Sequence, residues 1–139
     1  MNPETKEVYY LRMDSHRMTH ESFSHQAPDG TLRAWDVTEG NAIVRDGRET
    51  EMFSLVEQEV TREKIDSLYG NLDWEYAKTT LLSRPLLCAP FQGELLLIDG
   101  WHRLSRACLE GIPELPMYLL TEEEAEHIQW LCLPPQLAK

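Results

Sequence analysis

At 139 residues the chain has the length of one domain, able to bury about two thirds of its unfolded surface without disulfide or metal staples. Lys plus Arg total 13 against 24 Asp plus Glu, a net charge of −11; a field of that sign repels nucleic acid, so DNA is a disfavoured partner for this chain alone. No apolar run approaches the ~18 residues that cross a bilayer, and the opening Met-Asn-Pro-Glu-Thr-Lys-Glu lacks a secretory pattern, so the expected address is cytoplasmic, with no membrane partner.

Residues 1 to about 30 show no firm periodicity and read as an irregular or loosely helical lead-in, with Pro28-Asp29-Gly30 as a turn. From Thr31, "TLRAWDV" and "NAIVRDGRETEMFSLVE" show short alternating runs around Asp46-Gly47, a pair suited to a tight hairpin, and predict two or three strands. Thr61 then reads as an N-cap for a helix from about Arg62 to Tyr69, with Ile65, Leu68 and Leu72 on one apolar stripe. "LDWEYAKTTLL" predicts a second helix that stops before Pro85. "RPLLCAP" and "ELLLIDG" are two short strands on either side of Phe91-Gln92-Gly93. Beyond Gly100, Trp101, Leu104, Ala107 and Cys108 form a helical face that closes on Gly111. "LPMYLL" is a strand, Thr121 and Glu124 form a capping box for a helix through about Leu131, and residues 134–139 are a tail. Three cysteines, Cys88, Cys108 and Cys132, without a C-x-x-C pair, read as reduced structural thiols.

The chemistry concentrates where a strand ends at Asp99 and a helix begins near Trp101. Backbone N–H groups and the positive end of a helix dipole meet at Gly100 to Arg103, a terminus that suits phosphate at about 0.3–1 kcal/mol per charge. Gly100 lets backbone approach closely, Arg103 can fork onto phosphate oxygens, His102 can donate one bond, and Asp99 can hold Mg²⁺ or orient His102. The same residues also have bland roles: Asp99 as a helix cap, His102 as a satisfied surface side chain, Arg103 as the partner of a carboxylate.

"LLLIDGWHRLSRACLEGIPELPMYLL" resembles the ParB/sulfiredoxin superfamily, in which a strand leads through a G-x-H-R or G-E-R-R turn into a helix with a small residue and a later glycine, then I-P and a strand. Gly100-Trp101-His102-Arg103 is the G-x-H-R form, Ala107 and Gly111 fit the helix, and Pro116 opens the strand. Upstream, "REKIDSLYGNL" is similar to a sulfiredoxin helix whose lysine, serine and small polar residue face the nucleotide, here Lys64, Ser67 and Asn71. The resemblance covers about residues 52 to 120. It implies an α+β (α/β) fold with a small mixed sheet flanked by helices, residues 1–50 as an extension with short strands outside the family pattern, and a nucleotide-binding domain over 51–133.

The resemblance further implies ATP or CTP with Mg²⁺, its phosphates on Gly100, Trp101, His102 and Arg103, aided by Lys64, Ser67 and Asn71, with Asp99 toward the metal. Trp101 stands where sulfiredoxin carries its nucleophilic cysteine, so sulfinic acid reduction is not expected. Three readings remain: an NTPase or phosphotransferase acting on a small acceptor, a nucleotide-gated interaction module for a protein partner without turnover, and a ParB-like nuclease, the last disfavoured by the acidic balance. In the first, His102 and Arg103 stabilise phosphate charge and Glu57 or Glu59 supplies a base, although with 24 acids in the chain a solvated face is the commoner fate of either. Trp101 is placed between stacking on a base and sitting in the core, and the core is the commoner. Arg106 is expected to pair with Glu110. His16 and His20, spaced to share a helix face, and His25 are weighed as metal ligands and lack a third ligand in register. On this reading Arg103, as a surface side chain, could be removed with little effect on thermal unfolding.

Overall fold

The computed structural model describes residues 9–12, 14, 17–45, 47–70 and 72–137, so Asp46, Asn71 and His16 lie outside the described residues. It is a mixed α+β fold that divides into two compact units, one from 1–43 with 123–139 and one from 44–122. The first unit therefore draws on both ends of the chain, and its C-terminal part begins at 123, within the span that the sequence reading assigned to the nucleotide-binding domain.

The first unit is built on an antiparallel four-stranded sheet in the order β1-β8-β3-β2, from β1 (Tyr10–Leu11), β2 (Ser22–Gln26), β3 (Leu32–Asp36) and β8 (Gln129–Leu133). β2 and β3 form a hairpin, with Phe23 opposite Trp35. Its turn is the expected Pro28-Asp29-Gly30: the Asp29 carboxylate accepts the Thr31 N–H at 2.9 Å and Gly30 takes φ +94°. The strand on its N-terminal side escaped the sequence reading because Ser-Phe-Ser-His-Gln buries a single apolar side chain, Phe23, as an edge strand does. Trp35, Phe23, Ile128 and Leu131 form the core.

The predicted hairpin around Asp46-Gly47 is not formed. Residues ahead of it are helical, α1 (Val37–Val44), and the strand beyond it, β4 (Glu51–Ser54), pairs with a distant partner. Asp36 decides the matter: its carboxylate accepts the Glu39 N–H at 2.9 Å and caps the helix. The final helix is also shorter than expected. α5 (Glu122–Ile128) stops before Gln129, and β8 continues to Leu133 because pairing with β1 and β3 satisfies its backbone on both sides. Pro135 of the expected tail lies against the hairpin turn, its Cβ 2.9 Å from where a Gly30 side chain would begin.

The second unit holds a mixed four-stranded sheet in the order β4-β7-β5-β6. β5 (Leu86–Phe91) and β6 (Glu94–Asp99) form a hairpin through Gln92 at φ +51° and Gly93 at φ +78°, both left-handed as a tight two-residue turn requires. β7 (Glu114–Leu119) runs parallel to β5 and antiparallel to β4. The connection between the parallel strands β5 and β7 consists of β6 and then α4 (Trp101–Glu110), which packs on β7. α2 (Arg62–Leu68) starts where predicted, with Thr61 Oγ1 accepting the Lys64 N–H at 3.1 Å. α3 (Trp74–Ala77) is a single turn capped by Asp73, and both α2 and α3 pack on α4. Leu86, Leu87, Cys88 and Ile98 of the sheet and Trp101, Leu104 and Ala107 of α4 are buried, β5 on both of its faces. Among the described residues no helix is long and apolar enough to cross a membrane.

Candidate functional site

α4 begins where β6 runs out, and one glycine makes the junction. Gly100 takes φ +109°, and a Cβ there would lie 2.6 Å from Leu86 Cδ2 and 2.8 Å from Arg103 Nη2. The turn is therefore closed to any side chain, both by its backbone and by its neighbours. Gly100, the N-cap residue, offers no side chain to cap the helix.

Arg103 does not reach out from this turn. It is 7 % exposed, with Nη2 3.6 Å from Asp99 Oδ2. The reading of Arg103 as a surface side chain is thus corrected: on the first turn of the helix its guanidinium folds back over Gly100 to the carboxylate that ends β6. Trp101 is buried, its ring 5.4 Å from that of Tyr69 at a 30° tilt, so it occupies the core position that the sequence weighed against base stacking. His102 is half-buried between the edges of two phenols, with ring centroids 6.1 Å away for Tyr69 and 5.0 Å for Tyr76. Tyr76 is 56 % exposed. Arg106 donates to Glu110 at 2.6 Å and to the Thr80 carbonyl, in keeping with the expected pairing.

α2 touches α4, but its predicted ligands do not converge on the turn in the same way. The Lys64 ammonium donates to the Gln58 carbonyl at 2.6 Å. Ser67 is exposed, and Asn71 lies outside the described residues. Glu57 is exposed in the loop before α2, where its N–H is held by Ser54 Oγ at 3.1 Å; Glu59, in the same loop, sits at φ +52°. Asp99, Gly100, His102 and Arg103 are the predicted residues that the fold gathers.

The first unit holds a polar cluster that sequence reasoning missed. Asp36 is 1 % exposed and its Oδ2 accepts from His20 Nδ1 at 2.7 Å and from Arg17 Nη1 at 3.1 Å. Arg17 also lies 3.4 Å from Glu39, whose other oxygen meets His127 Nε2 at 2.9 Å. A buried carboxylate with three donors is structurally satisfied, and it fixes α1 to the hairpin. The available signal was Asp36-Val37-Thr38-Glu39, a capping pattern that the apparent strand alternation masked. His20 thus serves Asp36, and His25 stands on β2 opposite Arg33. Burial, then the Arg33 charge, lowers the His25 pKa. Among the described residues no group of three or more His, Cys, Asp or Glu is placed to hold a metal ion.

Cys88 and Cys132 are buried, and burial pushes the Cys88 thiol up to about 12. Cys108 is half-buried on α4; its pKa is raised by burial and by Glu63, against a lowering by Arg62.

Comparison with protein-family models, with characterised proteins and with solved structures gives no match.

Proposed function

We propose that the chain binds the phosphates of a nucleoside triphosphate, ATP or CTP, at the N-terminus of α4, in line with its resemblance to the ParB/sulfiredoxin superfamily. The observation that carries this reading is the start of α4 on a left-handed glycine that brings no side chain of its own over the helix N-terminus. Helix N–H groups and dipole favour an anion there, and His102 stands on that turn as a further donor. Arg103 contributes from beneath the turn, as a buried positive charge beside Gly100.

Of the two uses of a bound nucleotide, gating of a protein partner without turnover fits the site better than hydrolysis or transfer to a small acceptor. Asp99 is engaged by Arg103 at 3.6 Å, so neither group is available in full to a metal or to a transferring phosphoryl group. The donor set does not fit a protein-held Mg²⁺, because a carboxylate already neutralised by a guanidinium is a weak ligand. In this reading Mg²⁺ travels with the triphosphate and is held by the phosphate oxygens.

Calorimetric titration of the protein with ATP, CTP and GTP, each with Mg²⁺, tests the reading, with His102→Ala and Gly100→Ala alongside. One nucleotide should bind, about tenfold more weakly to His102→Ala, as loss of one charge-assisted hydrogen bond predicts. Absence of binding by the wild type overturns the phosphate site. Phosphate release at a rate that His102→Ala abolishes would restore the hydrolytic reading.

A further inference from the structure

The opposite end of α4 borders a second feature, unconnected with the phosphates. Leu55, Val56 and Val60 from the β4–α2 loop face Ala107, Cys108 and Gly111 of α4 and Ile112 and Pro113 beyond it, around an open cleft of about 220 Å³. Its lining side chains are apolar, with backbone polar groups among them, and Val56 at its margin is 75 % exposed. Clefts for small-molecule ligands run to about 300–1,000 Å³ with a few converging polar groups. This one is smaller and has the size for a single large side chain, since a cavity of about 150 Å³ already accepts benzene.

The surroundings choose the owner of that side chain. Glu57 and Glu59 lie in the loop between the lining residues Val56 and Val60, Glu114 follows Pro113, and all three are exposed. Glu63, also exposed, lies close enough to raise the Cys108 pKa. Of the nearby cations Arg106 is offset by Glu110, while Lys64, on the Gln58 carbonyl, and Arg62, over the Trp74 ring at 4.5 Å, keep their charges, so the four carboxylates outnumber two cations. An apolar cleft within an acidic margin, on a chain of net charge −11, complements apolar side chains carried among basic ones.

We infer that this cleft is a docking site for a basic segment of a partner protein, one large aliphatic or aromatic side chain entering between Val56 and Cys108 while flanking Lys or Arg residues meet Glu57, Glu59, Glu63 and Glu114.

The probe is a fluorescein-labelled peptide of alternating Leu and Lys turns, read by anisotropy against the full chain, with the Glu-for-Lys peptide as control. The basic peptide binds and the acidic one does not. Val56→Asp, at an exposed position that leaves the fold intact by circular dichroism, weakens binding at least about tenfold, a loss of about 1.4 kcal/mol, although it adds negative charge. Glu57→Gln with Glu59→Gln weakens it by a smaller factor. Equal or tighter binding by Val56→Asp would reduce the interaction to net-charge attraction and overturn the site, as would absence of binding by the wild type. Sedimentation decides against the proposal in one further way: a dimer of the wild type that Val56→Asp dissociates would make a second copy of the chain the occupant.

Discussion

Arg103 Nη2 lies 3.6 Å from Asp99 Oδ2 and only 2.8 Å from where a side chain on Gly100 would begin. The pair locks the junction of β6 and α4 from within. A guanidinium so enclosed contributes to the fold whatever the turn binds.

Arg103→Ala therefore destabilises the protein, by about 1–3 kcal/mol, since it removes the buried guanidinium that faces Asp99 and opens space beside Gly100. Arg103→Lys recovers part of this, because a point charge cannot reproduce the planar fork. Thermal unfolding monitored by circular dichroism measures both. An unchanged midpoint in Arg103→Ala would show that the pair is incidental.

Two left-handed glycines on α4 differ in a way that substitution can read. Gly111, at φ +69°, has no atom within 4 Å of a built Cβ, whereas Gly100 has Leu86 Cδ2 at 2.6 Å. Gly111→Ala costs about 1 kcal/mol of conformational strain. Gly100→Ala adds a clash with the core and costs more, about 2–4 kcal/mol in total. Urea denaturation of the two variants should rank them in that order.

The three thiols separate by accessibility. Burial holds Cys88 protonated with a pKa of about 12, and Cys132 is 2 % exposed. In the native protein a thiol-exchange reagent at mildly alkaline pH modifies Cys108 alone, more slowly than a free cysteine because its pKa is raised. In denaturant all three cysteines react. The raised Cys88 pKa also sets a sign: its contribution to stability is full below the ordinary value of 9.0 and declines as pH rises toward about 12. Cys88→Ala flattens that alkaline limb.

His25 gives the opposite slope. Its pKa is lowered from 6.5 by burial and then by Arg33, so between the folded and unfolded values the unfolded chain holds the extra proton. Stability tied to His25 is complete above pH 6.5 and is lost as pH falls through the depressed folded value. Urea midpoints measured across that range should fall with pH in the wild type and fall less in His25→Gln. Parallel curves would mean that the imidazole is solvated.

The sequence by itself determined the elements whose signals are local. Thr61 before an apolar stripe, Gly100 between an apolar run and an amphipathic helix, Gly111 at its close and Pro28-Asp29-Gly30 at a turn act within a few residues, through backbone preference and capping, and each takes its predicted role. The strand-to-helix junction was legible for the same reason. What only the tertiary structure decided depends on residues far apart in the chain. Gln129–Leu133 is a strand because β1 and β3 flank it, and α1 replaces a hairpin because buried Asp36 is held by Arg17 and His20. The direction of Arg103 belongs here too. Its sequence position permits a phosphate ligand or a buried ion pair, and the choice rests on the Asp99 carboxylate, the Leu86 side chain and the exclusion of water around Gly100, none of which a local pattern encodes.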